Sequence, residues 1–266
     1  MHLGEAVPRT LLRRGVWRGD CALEELFVRR ERLAGGGRHK VWRCSGGEGG
    51  GEFAVKEYDL ADARTCLREA ALLERLHHPA VVRVVAVFRN GDKVMMQMPY
   101  LEDGSVEVWV NVSVPPPLWT AVRGVMQDVT GALAHLHASG VVHADVKPSN
   151  ILIGPGGRGV LADFDIAVDS GARTTQQYLA TTRNRVGWTP GFEAPELAET
   201  GSTAATDVFA LGRTVAALRD KCFAALRDEC TEAERAASAA SAAEVDAFVA
   251  ALTARAGGAY VSALTA

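Results

Sequence analysis

The sequence predicts an α+β protein, because strand-forming and helix-forming stretches occupy different parts of the chain. Runs of β-branched and aromatic residues fall early, at 26–33, 52–56, 81–88 and 93–98, with Asn90-Gly91 a hairpin signal between the last two. Helical periodicity dominates later. Over 118–139 the residues Val122, Val125, Met126, Val129, Leu133 and Leu136 recur at helical spacing and form one apolar stripe. A chain of 266 residues can bury a sizeable core in one large or two small lobes.

The composition narrows the partners. The formal net charge is −3, too small to indicate a nucleic-acid or membrane-surface partner. Cys21, Cys44, Cys66, Cys222 and Cys230 are scattered with no C-x-x-C pair, the pattern of reduced thiols in a cytoplasmic or nuclear compartment. No apolar run has the length of a membrane span. Residues 1–20 are Arg-rich and lack the apolar segment of a signal peptide. Residues 1–22 are therefore expected as an N-terminal arm whose order the sequence leaves open.

After the arm, Leu26–Leu33 reads as a strand that runs into the Gly-rich turn Ala34-Gly-Gly-Gly-Arg-His-Lys-Val41. A second Gly-rich turn, Ser45–Gly51, leads into the strand Glu52-Phe-Ala-Val-Lys56. Asp62–His77 has helical character, with Leu67, Leu72, Leu73 and Leu76 apolar and Arg68, Glu69, Glu74 and Arg75 interleaved; His78-Pro79 stops it. On these residues alone Glu69 belongs to a solvated face. Met95, Met96 and Met98 read as core filling. Asn111–Pro117 is a Pro-rich connection before the long helix, which Gly140 closes.

The residues that carry chemistry lie beyond that helix. His143-Ala-Asp-Val-Lys-Pro-Ser-Asn150 precedes the apolar run Ile151-Leu152-Ile153, and Asp163-Phe164-Asp165 comes directly after Val160-Leu161-Ala162. Asp163 falls eighteen residues after Asp145, room for two short strands and a tight return. The octapeptide resembles the H-R-D-L-K-P-x-N catalytic loop of eukaryotic-type protein kinases, Asp163–Asp165 their D-F-G, and Ala54-Val55-Lys56 the strand carrying their phosphate-binding lysine. Further along, Gly187–Glu196 resembles G-T-x-x-Y-x-A-P-E, and Asp207-Val-Phe-Ala-Leu-Gly212 resembles D-V-W-S-L-G. Seven such segments occur in the family's order between residues 26 and 212.

That resemblance implies a bilobal protein kinase-like fold. A small antiparallel β-sheet lobe with one helix, the C-helix, would span 23–98. A mainly helical large lobe would span 99–266, with a hinge about 99–104 and a shortened C-terminal part. It implies a Ser/Thr protein kinase acting with ATP and Mg²⁺ on a protein substrate. Asp145 would take up the substrate hydroxyl proton, with Lys147 and Thr189 beside it. Asn150 and Asp163 would hold the metal, and Lys56, positioned by Glu69, the phosphates. Gly36, Val41, Ala54, Met98, Pro99, Leu101 and Leu152 would line the nucleotide, and Asp207 would hold the backbone of the catalytic loop.

The chain also departs from the pattern. Ala34 and His39 stand at the outer glycine positions of the Gly-rich loop, and Ala144 replaces the arginine that reads activation-loop phosphate. Constitutive competence or control by a partner is therefore expected. Asp165 replaces the glycine of D-F-G, either as a further metal ligand or pointing away. Pro99 removes a backbone N–H, which leaves the adenine contact to Leu101. These departures carry the alternative reading, a pseudokinase serving as a binding or scaffolding module. The polar stretch 173–185 reads as a phosphorylation segment or as plain loop, and Arg255 is a candidate partner for Glu196.

Overall fold

The computed structural model describes residues 6–33, 39–46, 50–113, 117–169 and 189–227; of the side chains, that of Arg29 and those beyond Cys222 are excepted. Gly36, the stretch 173–185 and Arg255 lie outside the described residues, as does the C-terminal part expected to be shortened. The chain divides into two compact units, Met1–Leu101 and Glu102–Ala266.

The first unit is a six-stranded sheet with helices on its faces. Its strands are β1 (Trp17–Asp20), β2 (Arg29–Arg32), β3 (Lys40–Ser45), β4 (Glu52–Asp59), β5 (Ala86–Asn90) and β6 (Lys93–Pro99), in the spatial order β1-β5-β6-β4-β3-β2. All neighbours are antiparallel except β1 and β5, which run parallel. The expected antiparallel sheet is present and carries one parallel pair at its edge, which the arm supplies. Residues read as an N-terminal arm form helix α1 (Arg9–Arg13) and edge strand β1, with Val7, Leu11 and Val16 buried. An arm that reads as merely Arg-rich thus puts three apolar side chains into the protein interior, while Leu12 stays exposed.

Other boundaries differ from the sequence reading for local reasons. The strand expected from Leu26 begins at Arg29, because Leu23–Leu26 closes a helical turn, α2, that sets Leu23 and Phe27 against Cys44, Val55, Phe88 and Met95. In the run expected at 81–88, Val81 donates back to the His78 carbonyl in a turn, and the strand starts only at Ala86. The hairpin turn itself is Gly91-Asp92, with Asn90 still paired to Lys93, and Gly91 takes the positive φ (+60°) that the turn needs. Helix α3 (Ala63–Leu73) ends before His77, and Pro99 stays within β6, paired with Phe53.

The second unit holds α4 (Val106–Val112), α5 (Trp119–Ala138), the short strands β7 (Val141–Val142), β8 (Ile151–Gly154), β9 (Arg158–Leu161) and β10 (Val168–Asp169), then α6 (Leu197–Thr200) and α7 (Ala204–Arg227). Helix α4 takes in Asn111 and Val112, the first two residues of the stretch read as a Pro-rich connection. Its start is a Ser105 cap whose hydroxyl accepts from the Val108 N–H (3.3 Å). Among the described residues no helix is long and apolar enough to cross a membrane.

Helix α5 is the platform for the β8–β9 hairpin. Its buried stripe faces the hairpin, and Asp128 on its flank accepts from Arg158 (2.7 and 2.8 Å) and from the Gly159 N–H (3.0 Å). Gly159 is a packing requirement: a Cβ there would stand 2.4 Å from the Val125 carbonyl oxygen. Burial pushes the Cys44 and Cys222 thiols up to about 11, which leaves little thiolate at neutral pH.

Replacing Gly159 with Ala forces helix and hairpin apart and is expected to lower stability by about 1–3 kcal/mol in urea denaturation. Leu11→Ala, which removes the fully buried side chain of α1, is expected to cost about 2–5 kcal/mol in the same measurement. An unchanged midpoint would show the N-terminal helix to be undocked.

Candidate active site

Each half of the expected machinery is assembled within its own unit. In the first, β4 supplies Lys56 and α3 supplies Glu69. Alternation along β4 points Val55 to one face and Lys56 to the other, and both are buried. The Lys56 ammonium lies 3.4 and 3.2 Å from the two Glu69 oxygens, and the residues are 6% and 1% exposed. Glu69 is therefore no part of a solvated face; it stands among Cys66, Leu67, Ala70, Leu72 and Leu73 on the buried side of α3. A carboxylate so enclosed has to be compensated by close donors.

The residues expected at adenine also meet here. Ala54 and Met98 are direct partners across β4 and β6, and Val41 opposes Lys56 across β3 and β4. Leu101 closes the first unit. In the second unit Leu152 is half-buried between the buried Ile151 and Ile153, and it bridges to Ser105.

The catalytic-loop segment is fixed from behind by Asp207, in the first turn of α7 and 1% exposed. One of its oxygens accepts from the Ala144 N–H (2.8 Å); the other accepts from the His143 N–H (2.8 Å) and meets His137 Nε2 at 2.9 Å. The clamp holds Ala144 in the left-handed region, φ +70°, where alanine is rarely found. His143 then bridges to the next segment. Its Nε2 donates to the Ala162 carbonyl (3.0 Å), its Nδ1 accepts from the Asp145 N–H (3.3 Å), and its ring meets the edge of Phe164. A carbonyl can only accept and an amide N–H only donate, which fixes the ring hydrogen on Nε2.

Asp145 emerges from this frame into a compact polar cluster. The Asn150 amide donates to its carbonyl (2.9 Å) and to its Oδ2 (2.8 Å), and Lys147 Nζ lies 2.8 Å from the same Oδ2. The Thr189 hydroxyl donates to Oδ1 (3.0 Å) and accepts from Lys147 (2.7 Å), closing an Asp145–Lys147–Thr189 triangle. Beside it a concavity is lined by Val146, Phe192, Glu193, Ala194 and Leu197.

Asn150 and Asp163 are neighbours through the hairpin. Ile151 pairs with Leu161, and the Ala162 N–H donates to the Asn150 carbonyl (2.9 Å), one residue before Asp163, which has φ +63°. The donor set suits magnesium. The amide nitrogen of Asn150 is spent on Asp145, which leaves its oxygen as the ligand atom to be paired with a carboxylate, and hard oxygen ligands are what that ion takes. Asp165 is half-buried two residues further on.

Sequence reasoning assigned no role to three contributors. His137 and His143 gave no separate signal because a lone histidine reads as core, and Tyr58 was missed although it follows Lys56 at the spacing that shares a strand face.

The fold and these clusters define a protein kinase-like domain. The family model for the protein kinase domain matches residues 27–247, and the chain belongs to that family. It is similar to the cytokinesis protein sepH of Emericella nidulans (34% identical, 74% of this chain and 14% of that protein). It is also similar to the L-type lectin-domain containing receptor kinase S.1 of Arabidopsis thaliana (33%, covering 73% and 30%). The serine/threonine-protein kinase PknK of Mycobacterium tuberculosis strain H37Rv is 33% identical, covering 73% and 17%. The chain spans less than a third of the length of each of these relatives.

Asp207→Asn places an amide N–H against a donor that the carboxylate now satisfies. The expected result is a loss of about 1–3 kcal/mol in chemical denaturation, and a variant as stable as the parent would show that the clamp is not needed to hold the loop.

Proposed function

We propose that this chain transfers the γ-phosphoryl group of ATP to serine or threonine hydroxyls of protein substrates. The observation that carries the reading is the Asp145–Lys147–Thr189 triangle, anchored by Asn150. Thr189 already presents a hydroxyl to Asp145 Oδ1, so the carboxylate is aimed at a neighbouring O–H. A substrate hydroxyl arriving there gives its proton to Asp145 as its oxygen bonds to phosphorus and the bond to the leaving ADP oxygen breaks. Lys147, two residues beyond the base, stands where Ser/Thr-directed members of the family keep a lysine. It offsets negative charge on the transferring group while holding Asp145 and Thr189 together. The similarity to a serine/threonine-protein kinase supports the same hydroxyl class.

Lys56, kept in place by Glu69, takes the nucleotide's phosphate oxygens. Val41, Ala54 and Met98 provide its apolar surroundings, with Pro99 and Leu101 next to the base. Asn150 and Asp163 would hold Mg²⁺, which would supply positive charge to offset that of the phosphates. Ala144 lacks the guanidinium that pairs with a phosphorylated residue, so competence does not depend on that pairing.

The deciding experiment is transfer of labelled γ-phosphate from MgATP to a basic protein and to the chain itself, wild type beside Asp145→Asn. Label on serine or threonine that falls at least about 100-fold in the variant is the expected outcome. No label from a folded wild type would overturn the reading in favour of a pseudokinase, a binding or scaffolding module, to which the Gly-rich loop's His39 and the Asp165 substitution would then belong.

A further inference from the structure

Tyr58 stands at a position to which neither the resemblance nor the family match assigns a role, yet it touches both members of the buried ion pair. It lies two residues after Lys56 on β4, hence on the same sheet face, and is fully buried. Its hydroxyl donates to Glu69 Oε2, the oxygen that also lies 3.2 Å from the Lys56 ammonium. Its ring lies 5.3 Å from that ammonium, within cation–π range. The ring is itself seated. The β3–β4 register pairs Lys40 with Glu57 and, one step further out, brings the His39 ring to 4.2 Å from that of Tyr58. His39 thus rests on Tyr58 at the start of the strand that leaves the Gly-rich turn.

We propose that Tyr58 is a positioning residue for phosphate binding, one that shares the Glu69 carboxylate with Lys56 and fixes where the ammonium sits. With Lys56 as sole donor, a carboxylate this buried would draw the ammonium wholly to itself, leaving less of its charge for a phosphate. A hydroxyl donating to the same carboxylate carries part of that load. The Lys56–Glu69 distances of 3.2 and 3.4 Å, long for a charge-assisted contact, fit a carboxylate whose strongest partner lies elsewhere. The tyrosine ring, wedged against His39, keeps the hydroxyl from swinging away.

This inference rests on the kinase reading above, and a double-mutant cycle separates the two. Tyr58→Phe keeps the ring and the His39 contact and removes only the hydroxyl; Glu69→Gln removes the charge it serves. MgATP affinity, measured by calorimetry, and the KM and kcat of phosphoryl transfer are read for the wild type, both single variants and the double variant, with thermal melts as a fold check. Tyr58→Phe is expected to weaken MgATP binding about tenfold in the wild-type background and less than about twofold beside Glu69→Gln, because its effect passes through that carboxylate. A residue that merely fills the core gives equal losses in both backgrounds, and that result overturns the proposal, as does an unchanged affinity in the single variant. If Glu69→Gln does not melt cooperatively, Lys56→Met provides the second background, where an effect transmitted through the pair also vanishes. A folded wild type that neither binds nor turns over MgATP would remove the kinase reading and this proposal together. Binding with an additive cycle removes the proposal alone.

Discussion

The constraint on which the catalytic unit depends is the buried carboxylate of Asp207. It collects two adjacent backbone N–H groups and a histidine ring, all within 2.9 Å. Charge-assisted bonds of this kind are strong enough to offset the cost, of order 1–3 kcal/mol, of holding a non-glycine residue in the left-handed region. Ala144 occupies that conformation, and the next residue, Asp145, is turned towards Asn150, Lys147 and Thr189 as a result. The strain at Ala144 and the aim of Asp145 are thus one feature, imposed by a helix that begins about sixty residues later in the chain.

A second device recurs in both units: a polar side chain of the candidate site is placed by an element that is itself buried. Lys56 sits on a strand enclosed on both faces, and Glu69 interrupts an otherwise apolar helix surface. Asn150 is buried at the start of the β8–β9 hairpin, where its carbonyl accepts from the Ala162 N–H. Rigid, dehydrated supports leave these side chains few rotamers, and orientation, more than any one contact, is what phosphoryl transfer asks of a protein.

Much of this was legible in the sequence. The octapeptide around Asp145, the interval to Asp163, the Ala-Val-Lys strand and the Asp207 helix start are contiguous signals, each with its chemistry inside a short window. The stripe on α5 was equally plain, because helical periodicity is a local property. What failed had non-local causes. The arm's few apolar residues are too sparse to show periodicity, and they become a helix and an edge strand only because the sheet and α3 offer them a surface. Helix α4 is built from valines that favour strands, and its Ser105 cap together with packing on α7 overrides that preference. Tyr58 looked like any buried aromatic until the partner of its hydroxyl was known.

By itself, then, the sequence determined the class of the protein and the identities of its polar groups, because motifs are read along the chain where order and spacing are complete. The tertiary structure alone decided the contacts that no motif carries: His137 with Asp207, His143 with Ala162 and Phe164, Tyr58 with Glu69 and His39. Those contacts join residues between 11 and 70 positions apart in the chain. Their distances follow from packing, which fixes positions to a fraction of an ångström and leaves no trace in the spacing of residues along the chain.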